Sequence, residues 1–143
     1  MKKDLIKISD QKLNWIEAIK EGVGLLEKKK YCQMSYADSI IESTNKYGPY
    51  YVISPLLALA HALPEGNVSK VGLSLVLYKN IVNFSDKNEH QVQLLFTLCT
   101  TSPNDHIEML QKFVTVFNEN KDLTNQIINA TTVDEIHQLL KEI

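Results

Sequence analysis

YGPYYVISPLLALAHALPEGNVSKVGLSL, residues 47–75, decides the fold. Gly48-Pro49 is a turn signal, and Tyr50-Tyr51-Val52-Ile53 is the aromatic and β-branched run of a short buried strand. Pro55 cannot donate to a sheet ladder and biases Ser54 towards extended geometry, so the strand is expected to end at Ser54-Pro55. A loop is expected next, carrying Leu56, Leu57, Leu59 and His61, and Pro64-Glu65-Gly66-Asn67 forbids a long helix through the histidine. Val71 to Tyr78 reads as a second buried strand. His61 is thereby delivered to a loop beside a strand end, where α/β proteins place their ligands.

Working outward, Leu5 to Ser9 alternates weakly and is read as a first strand. Asn14 is an N-cap with Glu17 at the third helical position, ahead of the apolar series Ile16, Ile19, Val23 and Leu26. Gly22 and Gly24 weaken that helix, and Lys28-Lys29-Lys30 suits its negative end as a solvated run. A second helix over about 35–46 places Tyr36, Ile40 and Ile41 on one side. Beyond the central stretch, residues 80–84 read as a short connector and Ser85 to His90 as a polar loop. Gln91 to Thr101 is the plainest strand, alternating and then continuously apolar. Ser102-Pro103 starts a helix, with serine at the cap, proline at the first helical position and Asp105 in the first turn. Its expected buried face is Ile107, Leu110, Val114 and Phe117. Short helices near 123–129 and 133–143 follow. Helices alternating with strands imply a three-layer α/β arrangement.

The chain has 143 residues and a formal net charge of −2, which fits one domain over 1–143 with a proper core. Near-neutral charge gives no footprint for nucleic acid or a membrane surface. All 15 basic residues are lysines, so a phosphoryl group has to be held by lysine, histidine, hydroxyls or backbone N–H groups rather than by a guanidinium fork. Cys32 and Cys99 stand far apart in sequence, in no CxxC arrangement, and are read as buried small hydrophobes. With no secretory leader and no apolar run of spanning length, a reducing cytoplasm is the expected location.

YGPYYVISPLLALAHALPEGNV resembles the EIIA components of the sugar phosphotransferase system, in the mannitol/fructose-type superfamily and nearest its ascorbate branch. The resemblance extends over most of the chain, including the Asn14-Trp15 helix start and His106. It implies an α/β/α sandwich with a small mixed sheet flanked by helices, with His61 as the phosphorylated histidine in a shallow depression and His106 beside it. The implied activity is phosphotransfer without a cofactor: HPr donates to His61, a cysteine of a cognate EIIB accepts, and a membrane EIIC is served indirectly in uptake of ascorbate or a related sugar or polyol. A homodimer is compatible with it, as is a regulatory relative that binds a transporter or transcription regulator. Two positions depart from the family pattern: Ala60 stands where the family has proline, and Leu63 where it has arginine.

Phosphoryl transfer asks for in-line positioning and charge stabilisation. A neutral imidazole at His61 is the acceptor, and His106, at the positive end of its helix, is a donor to the phosphoryl oxygens. The residues themselves add Ser54 at the preceding strand end, as a hydroxyl donor or a tautomer-fixing partner, and Glu65 as a further candidate. Leu56, Leu57, Leu59 and Leu63 are expected in the core, with an exposed apolar docking rim as the alternative that suits Leu63 in particular. His90 and His137 are expected at the surface. A metal site from His61, Glu65 and His106 is not expected, because the spacing matches no standard ligand pattern.

Overall fold

A computed structural model describes all residues, 1–143. Five strands, β1 (Ile6–Ser9), β2 (Val52–Ser54), β3 (Leu56–Ala60), β4 (Gly72–Asn83) and β5 (Gln91–Cys99), form one sheet in the order β1-β4-β5-β3-β2. The sheet is mixed. β1 runs parallel to β4 and β3 parallel to β5, while the β4–β5 and β2–β3 pairs are antiparallel.

Strand alternation sorts side chains between two cores. Ala58, Ala60, Val76, Tyr78 and Leu95 face one side, where Ile19, Val23 and Leu26 of α1 (Trp15–Lys28) and Tyr36 and Ile40 of α2 (Ser35–Tyr47) cover them. Leu57, Leu59, Leu75, Leu77 and Phe96 face the other. There α3 (Pro103–Glu119), α4 (Leu123–Ile128) and α5 (Val133–Leu139) contribute Phe113, Ile127 and Ile136. The result is the expected α/β/α sandwich, with helices on both faces of the sheet.

α1 begins with a complete capping box: the Asn14 side chain accepts from Glu17 N–H and the Glu17 carboxylate accepts from Asn14 N–H. Gly22 does more here than weaken the helix. A Cβ at that position would lie 2.4 Å from Thr97 Oγ1, so its absence lets α1 approach β5 closely. The approach is tied by Ser74 Oγ, which donates to the Gly22 carbonyl at 2.8 Å.

Four expectations need correction. Residues 56–60 are strand β3 and not loop, since Pro55 turns the chain instead of stopping it and Leu56 takes up the bend at φ 67°. Continuous apolar Leu-Leu-Ala-Leu-Ala is what a strand buried on both faces requires. Residues 80–83 continue β4 rather than connecting it onward, with the ladder slipping register between Leu77 and Val82 where Lys79, Asn80 and Ile81 are exposed. α3 is rotated from its expected face: Phe113 and Val116 are buried, whereas Ile107 and Val114 are exposed. His90 and His137, expected at the surface, are both half-buried, His90 with its Nδ1 hydrogen-bonded to Ser85 Oγ at 2.7 Å.

Candidate active site

His61 follows β3 directly, at the end of a strand hydrogen-bonded in parallel to β5. Leu57 and Leu59 point into the α3-side core, so alternation sends His61 to that same face. Its Nδ1 lies 2.7 Å from the carbonyl oxygen of Leu59. A carbonyl only accepts, so Nδ1 carries the hydrogen and Nε2 keeps its lone pair. The tautomer is thus fixed by the strand's own backbone.

The partner histidine comes from the first turn of α3. Ser102 caps this helix, its hydroxyl accepting from Asp105 N–H at 3.2 Å, and its carbonyl accepts from His106 N–H at 3.1 Å. The two imidazoles meet edge to face with centroids 4.8 Å apart. His106 Nδ1 is buried without a hydrogen-bond partner, which leaves its ring unanchored by any other group. Burial pulls the pKa of His61 below the ordinary histidine value, with His106 adding to the effect, and burial likewise lowers His106.

Three tyrosines fix the turn that carries His61. The Tyr50 ring sits edge-on to the imidazole at 5.5 Å, and its hydroxyl donates to the His61 carbonyl at 3.1 Å. Tyr51 is the second wall at 6.4 Å, its hydroxyl held by Thr44 Oγ1 at 2.7 Å. Buried Tyr36 ties the two strand ends together: its hydroxyl donates to the Leu98 carbonyl at 2.6 Å and accepts from Ala62 N–H at 3.0 Å. Beside this turn, α2 and residues 62–65 enclose an open groove of about 480 Å³ lined by Lys46, Tyr47, Tyr50, Leu63 and Glu65 among others.

Of the residues singled out from sequence, His61 and His106 are brought together and two are not. Ser54 is exposed and pairs with Leu57 at the opposite end of β3, about 13 Å from His61 by strand rise. The proline read as a strand end is the turn that starts β3, so Ser54 and His61 are separated by the strand's length. Glu65 is exposed and lines the groove on the α2 side, with no hydrogen bond from its carboxylate to either histidine. Tyr36 and Tyr50 were invisible as site residues, because one reads as helix core and the other as strand. Leu63 is 66% exposed, which corrects the expectation that it joins the core and leaves it at the rim.

Comparison with known proteins places the chain among relatives of known fold and family. The family model described as phosphoenolpyruvate-dependent sugar phosphotransferase system, EIIA 2, matches residues 1–143. The ascorbate-specific PTS system EIIA component of Escherichia coli K12 is 32% identical over 136 residues, covering 94% of this chain and 88% of the relative. Among solved structures, a PTS IIA, PtxA, from Streptococcus mutans superposes with a TM-score of 0.85 at 31% identity, over 96% of this chain and 86% of that one. A complex of enzyme IIA of the mannitol system with phosphorylated enzyme IIB from Escherichia coli shares the fold, with a TM-score of 0.86 at 19% identity over 100% and 98% of the two chains.

Proposed function

Because this chain belongs to the EIIA 2 family of the phosphoenolpyruvate-dependent sugar phosphotransferase system, we propose that His61 is the residue that carries the phosphoryl group, on Nε2. The observation that carries this reading is the bond from His61 Nδ1–H to the Leu59 carbonyl at 2.7 Å, which leaves Nε2 unprotonated on a ring that lies against His106. The Nε2 lone pair attacks the phosphorus of an incoming phosphohistidine. The Nε2–P bond forms as the donor's N–P bond breaks, and the donor imidazole regains its lone pair. Nδ1–H stays on Leu59 throughout. Discharge reverses the sense, with an acceptor thiolate attacking phosphorus and His61 leaving as a neutral imidazole.

Burial supports both halves of the cycle. A lowered pKa keeps His61 neutral and nucleophilic near pH 7. Arrival of a phosphoryl dianion reverses the local electrostatics, and His106 becomes a proton-bearing donor to the phosphoryl oxygens, seconded by the positive end of α3. With no arginine in the chain, this imidazolium is a cation placed beside the transferred group.

The donor is HPr and the acceptor a cysteine of a cognate EIIB, with ascorbate or a related sugar or polyol as the transported solute. Support comes from the ascorbate-specific relatives and from the IIA–IIB complex of the same fold. Ser54 and Glu65 have no place in the transfer step; Glu65 belongs to the groove wall that an approaching partner would touch.

The test is the intact mass of the chain after incubation with phosphoenolpyruvate, enzyme I and HPr, beside a His61→Ala variant. An acid-labile phosphoryl adduct on the wild type alone is expected, discharged on addition of an ascorbate-system EIIB. Phosphorylated HPr standing beside an unmodified wild-type chain would overturn the assignment.

A further inference from the structure

The ladder between β3 and β5 ends at the Ala60–Thr97 pair, one residue before His61. The next peptide unit, His61–Ala62, has no backbone partner for its carbonyl or its N–H. Two tyrosine hydroxyls take the place of the ladder. Tyr50 donates to the His61 carbonyl at 3.1 Å, and the Ala62 N–H donates to Tyr36 at 3.0 Å. A single peptide unit is thus held at both of its polar atoms by side chains from outside the strand. Tyr50 has one hydroxyl hydrogen and the carbonyl takes it, so the Ser43 hydroxyl, 3.2 Å away, donates to the Tyr50 oxygen. Ser43, Tyr50 and the His61 carbonyl form one relay, anchored on α2.

The two tyrosines differ in exposure, and the difference separates their roles. Tyr36 is fully buried and also holds the Leu98 carbonyl, which makes it part of the fold. Tyr50 is 47% exposed. Its ring stands edge-on to the His61 imidazole, centroids 5.5 Å apart, and lines the groove beside α2 with Lys46, Tyr47 and Leu63. We propose that Tyr50 is a positioning residue for phosphotransfer, holding the His61 imidazole in place through the His61 carbonyl and through its own ring.

This role rests on the phosphocarrier reading. Rotation about the N–Cα bond of His61 swings its side chain and its carbonyl together. Pinning the carbonyl therefore pins the direction in which Cβ leaves the backbone, and with it the reach of Nδ1 to Leu59. Side-chain rotation is limited by the rings on either side, Tyr50 at 5.5 Å and His106 at 4.8 Å. Misplacing an attacking atom by about 1 Å costs on the order of a hundredfold in rate; losing one of several restraints costs less, about tenfold. Stability is little affected, because water reaches an exposed hydroxyl site and replaces the lost donor.

Full-length Tyr50→Phe and Ser43→Ala chains are to be compared with the wild type by single-turnover transfer from phospho-HPr over a range of donor concentrations, by thermal unfolding, and by proton–nitrogen correlation NMR of the unphosphorylated His61 ring. For Tyr50→Phe the expected maximal rate is about tenfold lower, at a half-saturating donor concentration within about twofold of the wild type. The His61 nitrogen shifts should move from the Nδ1–H pattern of the wild type towards the average of two tautomers, with the thermal midpoint unchanged to within about 2 °C. Ser43→Ala, which weakens the relay without removing the Tyr50 hydroxyl, should lower the maximal rate about twofold to threefold. An unchanged maximal rate would overturn the assignment, and a change in half-saturation alone would make Tyr50 a docking contact instead. A rate loss with the wild-type nitrogen shifts intact, or one that tracks a large fall in the thermal midpoint, would overturn it as well. Failure of the wild-type chain to accept phosphoryl would strike the carrier reading, and the nitrogen spectrum, which needs no phosphorylation, would still decide whether Tyr50 holds the ring.

Discussion

His61 donates its Nδ1 hydrogen to the carbonyl of Leu59, two residues back on its own strand, at 2.7 Å. Under the proposed role of His61, the reactive nitrogen is therefore chosen by backbone geometry that no side-chain substitution removes. Substituting Leu59 should alter packing without changing which nitrogen is phosphorylated, whereas His61→Gln should abolish the adduct. Phosphorus–nitrogen coupling in the NMR spectrum of the phosphorylated chain should report Nε2 alone; a signal from Nδ1 would mean that the Leu59 bond does not survive in solution.

Burial lowers the pKa of both His61 and His106, and the sign of the consequence for stability follows. The unfolded chain titrates its histidines near 6.5, the folded chain at lower pH, so between those values the unfolded state binds more protons and acid favours it. The contribution is fully present above the unfolded value and is lost as pH falls through it towards the folded value. Urea unfolding should show stability declining from about pH 7 to about pH 5.5, and His61→Gln with His106→Gln should flatten that slope. An equally steep slope in the double variant would assign the acid sensitivity elsewhere. The transfer rate should hold level below the usual histidine pKa before it falls.

In the proposed carrier, His106 would stabilise transferred charge and not accept the group, its ring centroid 4.8 Å from that of His61. His106→Ala should leave the adduct on His61 but slow its formation by about a hundredfold, the usual cost of one lost donor to developing charge. Single-turnover transfer from phospho-HPr measures this. A change in affinity with the transfer step untouched would make His106 a docking residue.

What the sequence made legible, and what it hid, divides along local and tertiary lines. Caps and periodicity are local, and the starts of α1 at Asn14, of α3 at Ser102 and of α5 at Thr132 all stand where short-range hydrogen bonding put them. β3 is hidden in the sequence because Pro55 reads as a stop, whereas a positive φ at Leu56 converts the same proline into a tight turn between antiparallel strands. That one error also misplaced Ser54. The position of His61 survived it, because a residue just past a strand and a residue in a loop beside a strand end occupy the same edge of the sheet. Tyr36 could not be read as a clamp on Ala62 and Leu98 at all, since those partners lie 26 and 62 positions away.

The clamp has a measurable weight. Tyr36→Phe keeps the ring but leaves the Ala62 N–H and the Leu98 carbonyl without that partner in a buried place, a loss of about 1–3 kcal/mol. Thermal unfolding should shift down by several degrees, and phosphorylation of His61 should slow more than it does in a surface control such as Ser54→Ala. Unchanged stability would show that other groups satisfy both atoms.

Gly22 and Gly24 look alike in the sequence and are opposed in the structure. Alanine at Gly22 would set its Cβ 2.4 Å from Thr97 Oγ1, on a buried side chain, whereas nothing lies within 4 Å of a Cβ at Gly24. Gly22→Ala should destabilise by about 1–3 kcal/mol through overpacking between α1 and β5. Gly24→Ala should stabilise by about 0.5–1 kcal/mol through helix propensity. Chemical denaturation of the pair decides it, and the same sign for both would deny that helix–sheet spacing depends on Gly22.

Leu63 poses the sharpest question about docking, because it puts a 66% exposed apolar side chain two residues from His61, the proposed nucleophile, where the pattern that the sequence resembles has arginine. With Tyr47 and Tyr50 it edges the groove beside His61. An apolar rim contributes to encounter with a partner, whereas an arginine contributes charge to the transferred group; the two act on different kinetic constants. Leu63→Asp should raise KM for phospho-HPr by about tenfold, the equivalent of about 1.4 kcal/mol, with kcat little changed. Leu63→Arg should raise kcat if the guanidinium reaches the phosphoryl oxygens, and it should lengthen the life of the adduct in the absence of an acceptor. A fall in kcat for Leu63→Asp at unchanged KM would remove Leu63 from the docking surface and place it in the transfer step itself.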